Sequence, residues 1–153
     1  MTQSVLLPYI YGLDLSKNVF ETTDQFPNAL QDMCNLRWLE LNRTNVARLP
    51  EYVGKLKSLE KLNLSHNNLP DVPICLNDLS SLRSLSLRDN HVSASQISAR
   101  LFDIPDLSVL DLSRNNLQTF PKDIENAKGL TVLNLSSNQY DKQKTLSFLL
   151  SKS

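Results

Sequence analysis

Imidazole, thiol, carboxylate and indole are the groups in this sequence with chemistry to offer. The two imidazoles, His66 and His91, would act as bases or metal ligands only with partners at close spacing. Neither has a cysteine near it in sequence. The frames of nucleophilic and phosphate chemistry are missing as well. There is no G-x-S-x-G and no H-E-x-x-H, and three glycines in all cannot make a glycine-rich loop. Asp14 and Glu40 could mimic a carboxylate dyad, but a dyad needs a pocket to shift its pKa values. Cys34 and Cys75 lie 41 residues apart and form no clustered framework; each is a small apolar filler first. Trp38 is different. It is the only tryptophan, and a large rigid ring of this kind anchors protein interfaces. The inventory points to recognition, with no catalytic residue, cofactor or metal expected.

Composition narrows the partners. The 153 residues carry 16 Lys+Arg against 16 Asp+Glu, a formal charge of zero. That excludes a protein built to hold nucleic acid or an anionic membrane by bulk electrostatics. Hydrophobic residues make up 41% and aromatics only 7%, with leucine carrying most of the apolar content. The longest apolar run, Val5-Leu-Leu-Pro8, is too short for a membrane span or a signal-peptide core, so neither is expected. Sparse, unclustered cysteines fit a reduced, cytoplasmic compartment.

Elements must position these groups, and a repeat announces them. Leu107-Ser-Val-Leu110-Asp-Leu112-Ser-Arg-Asn115-Asn-Leu117 reads L-x-x-L-x-L-x-x-N-x-L, and further copies begin at Ile10, Leu36, Leu59, Leu82 and Leu130. Their spacings are 26, 23, 23, 25 and 23 residues. The pattern resembles the leucine-rich repeat. It implies an α/β fold: one domain over residues 1–153, wound as a right-handed βα solenoid. Short parallel strands would line its concave face, with 3₁₀ or short helices on the convex face. The period-two L-x-L cores place strands around Asp14, Glu40, Asn63, Ser86, Asp111 and Asn134. Leu49-Pro50, Val72-Pro73 and Phe120-Pro121 open equivalent return segments, where proline favours a short turn. Longer helices have room at Ala29–Met33 and Gln96–Phe102. Leu6 and Leu7 are placed to cover the first coil. Residues 141–153 are either a cap presenting Leu146, Leu149 and Leu150 or a truncated repeat.

The conserved-looking polar position of the repeat holds Asn18, Thr44, Asn67, Asn90, Asn115 and Asn138. Asparagine both donates and accepts, so this column is expected to be a structural ladder tying coil to coil. Threonine makes fewer bonds, which predicts a looser second coil. Strand residues between the inward leucines form the candidate binding surface. A first column runs Gly12, Trp38, Lys61, Ser84, Val109, Val132; a central one runs Asp14, Glu40, Asn63, Ser86, Asp111, Asn134. A third holds Ser16, Asn42, Ser65, Arg88, Ser113 and Ser136. At the exits stand Lys17, Arg43, His66, Asp89, Arg114 and Ser137, a mostly basic ridge. Trp38, Glu40, Asn42, Arg43, Lys61, Asn63, Arg88, Asp111 and Arg114 are therefore the candidate partner contacts. The indole could also simply cover Gly12 and the stem of Lys61. Cys75, on the convex side, is expected to be accessible and Cys34 packed.

Leu36-Arg-Trp38-Leu-Glu-Leu-Asn-Arg-Thr44 and Glu125-Asn-Ala-Lys128 are runs that the repeat itself does not demand. With Leu49-Pro50-Glu51 and Ser65-His-Asn-Asn-Leu69 they resemble the amino-terminal repeat domain of the flightless family, gelsolin-related proteins. The resemblance runs from about Leu7 to Tyr140. It implies a non-catalytic cytoplasmic scaffold, associated with the cytoskeleton, whose partner is a coiled-coil protein or a Ras-like GTPase. No gelsolin segment is present, so direct actin binding is not expected. The alternatives are a regulatory subunit targeting an enzyme such as a phosphatase or cyclase, and a secreted recognition module. The second would use the N-x-S/T sites at Asn42, Asn63 or Asn134, which otherwise read as unused. A third is a partnerless fragment.

Overall fold

Leucines at the fourth and sixth positions of each repeat point to one side of the chain, and no single coil can cover them. The computed structural model, which describes residues 7–141 and 143, shows how neighbouring coils do it together. Six strands form one sheet in sequence order: β1 (Gly12–Asp14), β2 (Trp38–Glu40), β3 (Lys61–Asn63), β4 (Ser84–Ser86), β5 (Val109–Asp111) and β6 (Val132–Asn134). All neighbours are parallel, as right-handed crossover connections require. The register aligns Leu13, Leu39, Leu62, Leu85, Leu110 and Leu133 across the sheet.

The strands centre on these leucines, one residue before the expected positions. The cause is local. Asp14, Asn63, Asp111 and Asn134 each accept, through Oδ1, the backbone N–H two residues later at 2.8–3.1 Å. That bond reinforces a bend that also follows Glu40 and Ser86, which make no such bond. The next residue then enters the left-handed region, with φ of 54–61° at Lys17, Arg43, His66, Asp89, Arg114 and Ser137. Backbone pairing between coils persists through the bend, as in Leu15 N–H to Glu40 O at 2.9 Å and Lys17 N–H to Asn42 O at 3.0 Å.

The return segments are 3₁₀ turns, among them Asn28–Asp32, Glu51–Lys55, Ile74–Asp78 and Ile124–Asn126. Pro27, Pro50 and Pro73 directly precede the first three, with φ between −56° and −62°. The two expected longer helices are corrected. Residues around Ala29–Met33 form a five-residue 3₁₀ turn, and Gln96–Phe102 divides into turns at Ala94–Gln96 and Ala99–Leu101. An α-helix is about 10 Å across, whereas strands repeat at about 4.8 Å, so thin turns let the coils stack without splaying.

Leu39, Leu41, Leu62, Leu64, Leu85, Leu87, Leu110 and Leu112 are buried, forming the spine of the core. Leu13 and Leu15 in the first coil, and Leu133 and Leu135 in the sixth, are partly buried against it. Leu7 also packs there, with Phe20 and Phe26 stacked at 4.5 Å beneath the first coil. Leu6 and the carboxyl-terminal Leu146, Leu149 and Leu150 lie outside the described residues.

Beside the leucines runs a hydrogen-bonded polar column. Asn67 donates through Nδ2 to the carbonyls of Leu41, Leu64 and Ser65 at 2.8–3.2 Å. Its Oδ1 accepts from the amides of Thr44 and Val46 and from the Thr44 hydroxyl, each at 3.0 Å. Asn90, Asn115 and Asn138 repeat the scheme between later coils. Asn18, exposed at the first coil, donates to Leu15 O. The looser second coil expected at Thr44 is a misreading. Thr44 is fully buried, and its hydroxyl donates to Leu41 O at 2.7 Å. Asn67 reaches back from the next coil and supplies what the shorter side chain lacks.

Candidate functional site

Side chains opposite the leucines stand on the open face of the sheet, and strand register fixes their columns. Gly12, Trp38, Lys61, Ser84, Val109 and Val132 face one another across adjacent strands, as do Asp14, Glu40, Asn63, Ser86, Asp111 and Asn134. Glu40 Oε1 lies 3.0 Å from Lys61 Nζ, the glutamate side chain being only 17% exposed. The Ser16 hydrogen bonds hold the Asp14 carboxyl below its ordinary range, helped by nearby Lys17. Asn63 and Asp111 are turned inward to the bends they stabilise.

The third column is less open than its residue types suggest. Ser65 and Ser113 are buried. Asn42 donates to Ser16 Oγ at 2.7 Å, and Arg88 Nη1 donates to Ser113 Oγ at 3.3 Å. Lys17, Arg43 and Arg114 are exposed along the exits, but His66 Nδ1 and Asp89 Oδ2 meet at 2.5 Å between them. The ridge is thus basic at both flanks and paired in the middle.

Trp38 leans across β1. A Cβ built on Gly12 would come within 1.8–2.1 Å of the indole Cε2, Cζ2 and Nε1, so the ring occupies the space that glycine leaves. It still exposes 43% of its surface. On its other side a hollow of about 550 Å³ opens between Trp38, Arg37, Glu40, Glu60 and Lys61. Arg37 Nη1 lies 3.4 Å from Glu60 Oε1, and its guanidinium sits over the Tyr11 ring at 5.8 Å. Arg37 and Glu60 are absent from the sequence-derived contacts. They precede β2 and β3, outside the period-two columns, and the signal available was the alternation Arg37, Glu60, Arg83 at that position.

The cysteine expectations are reversed: Cys34 is exposed and Cys75 is buried. Cys75 lies in the Ile74–Asp78 turn, which packs so tightly on the preceding coil that a Cβ at Gly54 would meet its carbonyl oxygen at 2.7 Å. Burial pushes the Cys75 thiol up to about 11. Among the described residues no three His, Cys, Asp or Glu side chains converge as a metal site. No helix among them is long and apolar enough to cross a membrane.

A family model described as a leucine-rich repeat region matches residues 9–152, taking in all six coils. The chain belongs to the leucine-rich-repeat family. Leucine-rich-repeat folds are in general non-catalytic protein-interaction modules, and the open face fits that role. The chain is 45% identical to the protein flightless-1 homolog of Mus musculus over 141 residues, and 45% identical to that of Danio rerio over 130. These alignments cover 92% and 85% of the chain but 11% and 10% of the relatives, so it spans about a tenth of their length. Among solved structures, internalin C2 of Listeria monocytogenes superposes with a TM-score of 0.71 at 22% identity, over 91% of this chain and 57% of that one. A leucine-rich-repeat protein of Leptospira interrogans gives 0.60 at 27%, over 74% and 34%.

Proposed function

We propose that this chain is a cytoplasmic docking module whose sheet face engages a protein partner, with Trp38 as the anchor. Around the indole, Glu40, Lys61, Asn42 and Arg43 give orientation, and Arg88 and Arg114 extend the contact toward the later coils. The observation that carries the reading is the half-exposed indole seated over Gly12. A fixed aromatic ring loses little side-chain entropy on binding, so its burial is retained as affinity. Likeness to the flightless relatives supports a coiled-coil protein or a Ras-like GTPase as the partner, linking signalling to the actin cytoskeleton.

The test is quantitative capture from cytosol by the wild-type chain, Trp38→Ala and Arg88→Glu, each first shown to melt like wild type. Coiled-coil or GTPase partners should be held by wild type and lost from Trp38→Ala. Partners retained equally by both variants would place the docking surface elsewhere.

A further inference from the structure

We propose that the hollow beside Trp38 receives one arginine side chain from the partner, its guanidinium stacked on the indole and hydrogen-bonded to Glu40 and Glu60. The inference rests on the sheet face being the docking surface, and it names what the partner brings there.

Two observations converge on that chemistry. The first is the lean of Trp38 over Gly12 of β1, beside a hollow lined by Trp38, Arg37, Glu40, Glu60 and Lys61. The second is the state of the two carboxylates. Glu40 meets Lys61 through Oε1 at 3.0 Å, and Glu60 meets Arg37 through Oε1 at 3.4 Å. The Oε2 atoms of both accept no hydrogen bond among the described residues, so each carboxylate has an acceptor to spare.

Other occupants fit less well. An acidic side chain would meet these carboxylates. An apolar one would fill the space but strip water from Glu40, whose side chain is already only 17% exposed, and return no donor. Lysine offers a strongly hydrated point charge and no plane. Arginine supplies a flat, weakly hydrated cation that stacks on tryptophan while its N–H fork reaches carboxylate oxygens at the rim.

The experiment uses capped Gly-Ser peptides with a central arginine, lysine, citrulline or norleucine. Binding is read by Trp38 emission, unambiguous with a single tryptophan, and by the indole N–H resonance. The arginine peptide should give a saturable change that binds about tenfold more tightly than the citrulline peptide, which has nearly its shape without its charge. Glu40→Gln should weaken the arginine peptide about tenfold with circular dichroism and melting unchanged. Gly12→Ala should move the indole, shift the emission of the free chain and remove the response.

Citrulline or norleucine matching arginine, or no saturable response to arginine on the folded chain, overturns the proposal. If Trp38→Ala still releases a captured partner in either case, the docking face survives and the arginine pocket alone falls. If arginine saturates but no variant releases a partner, the hollow binds a guanidinium but not the partner's, and the proposal falls with the docking face.

Discussion

Asn67→Ala removes the best-connected side chain of the polar column, and its effect can be worked out from the bonds it breaks. Two backbone amides, Thr44 and Val46, lose their acceptor, and the carbonyls of Leu41, Leu64 and Ser65 lose a donor. The Thr44 hydroxyl keeps its bond to Leu41. Asn67 is 6% exposed and Thr44 fully buried, so water reaches these groups poorly. The three carbonyls keep other donors, from the Thr44 hydroxyl, Asn90 Nδ2 and the Arg43 amide, so only the two amides are left unpaired, and at about 1–2 kcal/mol each the loss is about 2–4 kcal/mol. That is a large share of a stability of about 5–15 kcal/mol. Asn18→Ala is the internal control, since that exposed side chain makes one bond, to Leu15 O, and should cost under about 1 kcal/mol. Urea unfolding followed by circular dichroism gives both values. Trp38 emission reports in parallel whether the second coil loosens before the rest. Equal midpoints for the two variants would refute the claim that the column ties the coils together.

Other perturbations follow from the same frame. Leu110→Ala, at a fully buried site, should destabilise by about 2–5 kcal/mol in urea unfolding, and Leu110→Asp should prevent cooperative folding. Gly54→Ala should cost about 1–3 kcal/mol in the same assay, because its Cβ would meet the backbone oxygen of Cys75 at 2.7 Å, where no side chain can yield. At pH 8, iodoacetamide should label Cys34 in the folded chain and spare Cys75, as peptide mapping would show. Burial raises the Cys75 thiol from 9.0 to about 11, so stability present below pH 9 should decline as pH rises toward 11, with a shallower decline in Cys75→Ala.

The repeat made the columns legible because a leucine spacing that fixes which residues face inward also fixes which stand side by side. Gly12, Trp38 and Lys61 could be aligned without coordinates, as could Asp14, Glu40 and Asn63. What one repeat cannot disclose is its neighbour's contribution. Thr44 looks deficient alone and is completed by Asn67. Cys75 looks peripheral in its own turn and is covered where that turn meets Gly54. The hollow beside Trp38 was hidden for a related reason: it depends on the absence of a side chain one coil away and on Arg37 and Glu60, which lie off the alternating pattern. Strand centres lie one residue early in all six coils because the chain bends at the same repeat position each time, a bend that hydrogen bonds to Asp14, Asn63, Asp111 and Asn134 reinforce in four of them.

The left-handed corners at the strand exits carry a consequence for how such a surface changes. Each is occupied by a residue other than glycine, although the conformation disfavours L side chains by about 1–2 kcal/mol. The turn is enforced by ladder bonds on either side, so lysine, arginine, histidine, aspartate and serine are all accommodated at one backbone geometry. Charge along that rim can therefore be rewritten residue by residue, altering what is recognised while the coil beneath stays as it was.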